Sequence, residues 1–144
     1  MLLIKRSANR RIFPGRYNGV GGHMERGEDP FTCAVREIKE ETGLTVQPGD
    51  VRLRGVSHID AGGTSGIVLF IFTIAVKSQA GTLDECHEGT LHWIPIDRAL
   101  DLPLVEDLPI LWPRLFGPNP DDKPFFAHVS YNSADQIQMR FTGD

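Results

Sequence analysis

At 144 residues, with 40% hydrophobic and 24% charged residues, the chain has the size and make-up of one globular domain, residues 1–144, with a core of its own. A net charge of -4 argues against a nucleic-acid polymer or an anionic membrane as partner, while a small phosphate-bearing molecule stays open because a bound metal reverses the local sign. The apolar run Ile67 to Val76 is too short for a membrane span, no signal peptide is evident, and Cys33 and Cys86 lack metal-type spacing, so free thiols in a reducing cytoplasm are expected.

The chain opens on Met1-Leu2-Leu3-Ile4, an apolar run that reads as strand. A basic cluster follows: Lys5, Arg6, Arg10, Arg11 and Arg16. Arg10 and Arg11 suit a solvated loop, whereas Lys5, Arg6 or Arg16 would reach the phosphates of a bound anion. Asn18, Gly19, Gly21, Gly22 and Gly27 then crowd a short span, where glycine lets the backbone approach a ligand closely. Asp29-Pro30 signals a helix start, an acidic N-cap before proline at the first helical position, and Gly43 suits the stop. The spacing predicts a helix over 30–42.

Two stripes run along that helix. Phe31, Ala34, Val35 and Ile38 make an apolar face for packing on a sheet. Glu37, Glu40 and Glu41 crowd their carboxylates on another face, a repulsion of a few tenths of a kcal/mol per pair. A cation would relieve it, and hard oxygen donors select Mg²⁺ or Mn²⁺. The plain alternative is a solvated acidic face.

Residues 45–58 alternate and predict strand, with a turn at Pro48-Gly49. Ala61 to Gly66 reads as a turn, and Ile67 to Val76 as a central buried strand. An acidic loop around Leu83 to Gly89 precedes a short strand, Leu91 to Ile96. Asp97 to Leu108 holds a short helix broken by Pro103, and Pro109 to Phe116 is partly helical. After a turn-rich loop from Gly117 to Pro124, Phe125 to Tyr131 and Gln136 to Phe141 read as a hairpin. This order of elements implies α/β layers around a mixed sheet.

Gly22, Glu28 and the run Arg36-Glu37-Ile38-Lys39-Glu40-Glu41-Thr42-Gly43-Leu44 match every fixed position of the Nudix hydrolase signature, and on them the chain resembles that family. The resemblance implies the Nudix fold, an α/β/α sandwich. Family members carry a further strand before the position of Met1, so the first strand is expected to be truncated. The implied activity is metal-assisted attack of water on a nucleoside diphosphate linked to another group. Glu37, Glu40 and Glu41 are the implied Mg²⁺ ligands, with the carbonyl of Gly21 as a main-chain ligand. Glu41 is the preferred general base and Glu37 the alternative. Arg36 would orient a glutamate, and Glu28 would brace the loop against the helix. Glu88, alone a plain surface residue, falls where relatives place a further metal-binding glutamate.

Tyr17 to Gly22 resembles the loop of MutT-like oxidised purine nucleoside triphosphatases, in which an asparagine bonds the base; Asn18 holds that place and can both donate and accept. Trp93 to Phe141 resembles the same branch, and Glu106 and Asp107 fall on its two acidic base-reading positions. Their alternative is a charge pair at a helix N-terminus. Trp112 and Phe13 read as core packing before base stacking. The expected function is Mg²⁺-dependent hydrolysis of a purine nucleoside triphosphate, oxidised or not, to the monophosphate and pyrophosphate. A nucleotide-sugar pyrophosphatase such as one acting on ADP-ribose, or a non-catalytic nucleotide sensor, is the alternative.

Overall fold

A computed structural model describes residues 1–60, 64–76, 88–117 and 123–143. Cys86, nearly all of the acidic loop before Gly89, and parts of the turns at 61–66 and 117–124 lie outside the described residues. The chain divides into two compact units, Met1–Asp50 with Ala75–Val105, and Val51–Ile74 with Glu106–Asp144.

The first unit is built on β1 (Leu2–Arg6), the middle strand of an antiparallel sheet between β2 (Tyr17–Asn18) and β5 (Gly89–Trp93). Leu3 and Ile4 are buried, with Leu3 opposite His92 and Ile4 opposite Leu91. Gly89 has to be glycine: a Cβ there would lie 2.0 Å from the Lys5 carbonyl oxygen. Tyr17 N–H donates to Pro103 O and Val105 N–H to Tyr17 O, which seats the buried Leu104 and Val105. The short helix foreseen after Asp97 is a 3₁₀ segment, Ile96–Asp101, held by buried Ala99.

Helix α1 (Pro30–Thr42) starts and stops where its sequence says. Asp29 Oδ1 accepts from the N–H groups of Phe31 and Thr32 at 2.8 and 3.0 Å, and Pro30 occupies the first turn. Gly43 closes the helix in the left-handed conformation, φ 70°, with its N–H donating to Lys39 O. The packing face differs from the stripe expected. Cys33 and Thr42 are the buried residues, Ala34, Val35 and Ile38 are half-buried, and Phe31 is exposed. Buried Thr42 is satisfied locally, donating to Ile38 O and accepting from Leu44 N–H.

The second unit carries a four-stranded mixed sheet in the order β4 (Gly66–Ile74), β3 (Val51–Asp60), β6 (Phe125–Tyr131), β7 (Ile137–Phe141). β3 and β6 run parallel and the other pairs antiparallel. The α/β class and the mixed sheet are therefore as expected. β4 is not: among the described residues the apolar run lies at the sheet edge, paired with β3 alone, and Ile67 and Val68 are about half exposed, at 53% and 52%. A continuous apolar run records side-chain hydropathy on both faces, not how many strands flank it. β3 bulges between Leu53 and Gly55, and the Phe125 ring lies where a side chain on Gly55 would stand. Helix α2 (Leu108–Phe116) buries Leu111, Trp112 and Leu115, and the Trp112 ring packs at 4.7 Å on Phe116. Among the described residues no helix is long and apolar enough to cross a membrane.

Candidate active site

Capping fixes the rotation of α1, and that rotation turns residues 36, 37, 40 and 41 toward the glycine loop. Arg36 is the hub. Its Nε and Nη2 fork onto Glu28 Oε1 and Oε2, each at 2.9 Å, and its Nη1 donates to Glu37 Oε1 at 2.8 Å and Glu40 Oε2 at 3.1 Å. Nη2 also reaches His23 O at 3.1 Å. One planar guanidinium thus touches three carboxylates and a loop carbonyl, which an ammonium could not do. Glu28 Oε2 further accepts from Glu25 N–H at 2.9 Å, so Glu28 ties loop to helix. The hydrogen bonds from Arg36 hold the Glu28 carboxyl down at about 2, and those carboxylates raise Arg36 in turn.

This clasp qualifies the argument from repulsion. Arg36 already balances Glu37 and Glu40, so their proximity alone does not require a metal. Glu41 stands outside the clasp. Its Oε2 accepts from Gly21 N–H at 3.2 Å, and its carboxyl is pushed up to about 7, first by burial and then by Glu88 and Glu37. Glu88 contributes from the turn before β5. Ser7 N–H donates to its backbone oxygen, and its carboxylate pairs with Arg10 and lies 4.0 Å from Arg6.

Glu37, Glu41, Glu88 and the Gly21 backbone are therefore gathered in one place, with Glu40 more exposed at the rim. The donors are carboxylate and main-chain oxygens, a set that fits a hard divalent cation. The loop makes room for it: a Cβ on Gly22 would stand 2.2 Å from Glu37 Oε1, so the carboxylate occupies the space glycine vacates. Arg36 makes no described hydrogen bond to Glu41; Arg10 is the positive charge that acts on it, and more weakly than its burial and the neighbouring carboxylates.

The remaining predicted residues divide. Asn18 lies on β2 opposite Ile4, half-buried, its Oδ1 accepting from Gly19 N–H at 2.8 Å; among the described residues its Nδ2 finds no acceptor. Arg16, one of the residues expected to reach phosphate, donates from Nη1 to Leu104 O at 3.0 Å. Arg6 donates from Nε to Ile12 O at 3.0 Å. Arg10, read as solvated, is the partner of Glu88 instead; 78 residues separate them, and no local pattern signals the pair.

Glu106 and Asp107 lie in the second unit. Asp107 precedes α2 in a helical backbone conformation, φ -78° and ψ -31°, without a capping hydrogen bond into the first turn, although the N–H groups of Asp107 and Leu108 act on its carboxyl. Burial, with Glu106 adding, raises its carboxyl above the usual range. Tyr131 is raised by burial and by both acids, and so stands beside them; sequence reasoning missed it. Trp112 is core, as read.

Comparison with known proteins shows the family and the fold. A family model described as the NUDIX domain matches residues 1–115. The oxidized purine nucleoside triphosphate hydrolase of Mus musculus is 30% identical over 126 residues, covering 85% of this chain and 74% of that protein. The 8-oxo-(d)GTP phosphatase of Mycolicibacterium smegmatis is 33% identical over 125 residues, 85% of this chain but only 36% of its own length. In structure the chain is similar to the mutator MutT protein of Bacillus halodurans, with a TM-score of 0.78, 26% identity, and coverage of 99% of this chain and 90% of that one.

Proposed function

Because the chain belongs to the Nudix hydrolase family, we propose that it hydrolyses a purine nucleoside triphosphate, preferably one oxidised at the base, to the monophosphate and pyrophosphate. The observation that carries this reading is the position of Glu41, a half-buried carboxyl outside the Arg36 clasp with its proton held to about 7. Without a metal that carboxyl is poised near neutral pH, and a bound divalent cation would lower its proton affinity and favour the ionised form that a ligand or base requires. Nudix hydrolases typically use divalent metals. Mg²⁺, with Mn²⁺ as substitute, would supply charge neutralisation and an acidified water, held by Glu37, Glu40, Glu41, the Gly21 carbonyl and Glu88.

The protein's own groups do the rest. Arg36 holds Glu37 and Glu40 in register, Glu28 fixes the loop on which Gly21 lies, and Glu41 takes a proton at its carboxylate oxygen. Arg10 and Arg6 keep Glu88 oriented. On the substrate side, Asn18, in the unit that carries α1, offers a purine edge an amide that donates and accepts; in the second unit, burial raises the Asp107 carboxyl, which when protonated could also donate. The names of the mouse and mycobacterial relatives support the choice of base.

The test is a panel of 8-oxo-dGTP, dGTP and ADP-ribose with Mg²⁺, following pyrophosphate and monophosphate release. The highest kcat/KM is expected on 8-oxo-dGTP, and Glu41→Gln should abolish it. Faster turnover of ADP-ribose would overturn the substrate choice. Tight nucleotide binding without turnover would identify a sensor.

A further inference from the structure

The second unit carries a cluster that the hydrolase chemistry does not use. β3 and β6 run parallel in a register that sets His58 beside His128. Asp60, two residues beyond His58 on the same strand, projects from the same face. The ligating atoms of the three all lie within 4.8 Å of one another. Asp60 Oδ2 is 3.2 Å from His128 Nε2, and Asp60 Oδ1 is 3.9 Å from His58 Nδ1. The two imidazoles lie side by side, ring centres 5.6 Å apart and planes 27° apart.

The neighbouring strand is shaped around this arrangement. Gly66 is the partner of Asp60 on β4, and a Cβ there would lie 2.2 Å from His58 Nε2. The His58 ring occupies the volume a side chain would take, which keeps its Nδ1 toward Asp60. Gly66 is not at positive φ, so backbone conformation does not ask for glycine. The ring does.

We propose that His58, Asp60 and His128 form a binding site for a divalent transition cation of the zinc type, separate from the glutamates of α1. The donor set decides the class: two imidazoles and a carboxylate suit Zn²⁺, Ni²⁺ or Cu²⁺, whereas Mg²⁺ wants oxygen alone. Donors around a tetrahedral ion at about 2.0–2.1 Å stand about 3.3 Å apart, so separations of up to 4.8 Å would close by at most about 1.5 Å when the ion binds. Three protein donors leave a position for water. Arg140, opposite His128 on β7, is the one cation facing the site from that strand among the described residues, and it opposes tight binding. The ion would clamp β3 to β6, two strands joined through a long connection.

The competing account is a surface group in which Asp60 simply accepts hydrogen bonds from two histidines. Calorimetric titration of the full chain with Zn²⁺ in excess Mg²⁺, together with imidazole NMR spectra, separates the two. One Zn²⁺ equivalent should shift the His58 and His128 resonances, and His58→Ala and Asp60→Asn should each weaken that equivalent at least tenfold. Gly66→Val should weaken it as well, by displacing the His58 ring. All three variants should keep wild-type Mg²⁺-dependent hydrolysis, and Glu41→Gln should keep the Zn²⁺ equivalent. His58 is exposed, so its removal leaves the fold in place. Unmoved imidazole resonances, or an equivalent lost in Glu41→Gln but retained in Asp60→Asn, would overturn the proposal.

Discussion

A single methyl group tests the α1 site most sharply at Gly22. An alanine Cβ there would stand 2.2 Å from Glu37 Oε1 and 2.4 Å from its Cδ, well inside contact distance. The obstacle is the end of a side chain, so the fold can adapt, but only by moving the carboxylate off Arg36 Nη1. We expect Gly22→Ala to lower kcat by about 100-fold, the scale of a 1 Å misplacement, with an almost unchanged melting temperature. Wild-type kcat would show that the placement of Glu37 is irrelevant to turnover. Glu41 makes a prediction about pH. Its carboxyl is raised from 4.5 to about 7, so between those values the folded chain keeps a proton that the unfolded chain releases. Stability from this group is therefore present at low pH, falls as pH rises through that window, and levels off above it. In EDTA, Glu41→Gln should gain stability relative to wild type from pH 4.5 to 7, measured by urea unfolding at each pH. A constant difference would sink the assignment. The residue types at both positions were readable in the sequence. What was not readable is the division of labour, Arg36 holding Glu37 and Glu40 but leaving Glu41, because a rotamer network is set by packing rather than spacing.

At the scale of elements, α1 was legible to the residue because its boundaries rest on contacts within a few positions: Asp29 with residues 31 and 32, Gly43 with Lys39. The same locality yields a quantity. Gly43 sits at φ 70°, where a Cβ meets the carbonyl, so Gly43→Ala should cost about 1 kcal/mol in urea unfolding, and Gly43→Asn less. Equal stability of all three would mean that the helix end frays and the left-handed cap carries no weight. Pairing between distant strands was not legible. β4 looked central because its apolar run is continuous, yet among the described residues it borders one strand only. The two-residue β2 was lost in the basic and glycine-rich segment, too short for any period to show. His58, Asp60 and His128 are spread over 71 positions, and only the parallel register of β3 with β6 brings them together.

For the molecule as a whole the governing fact is sign. The chain carries a net charge of -4, and α1 adds three glutamates to the face that the proposed polyanionic nucleotide would approach. The arginines near that face are largely committed: Arg36 to Glu28, Glu37 and Glu40, Arg10 and Arg6 to Glu88, Arg16 to the Leu104 carbonyl. Lys5 lies 5.7 Å from the centre of the Tyr17 ring, which holds its ammonium near β2. With these described arginines committed, the proposed function has a divalent ion invert the local field before the substrate settles. Metal removal should then weaken binding and not only stop turnover. With a non-hydrolysable purine triphosphate analogue, EDTA should weaken Kd at least tenfold relative to saturating Mg²⁺. By linkage the analogue should tighten Mg²⁺ binding by the same factor. Isothermal titration in both directions reads both numbers. An analogue that binds equally well with and without the ion would mean that the base and the basic segment alone capture the nucleotide, and the glutamates of α1 would then have no part in recruiting it.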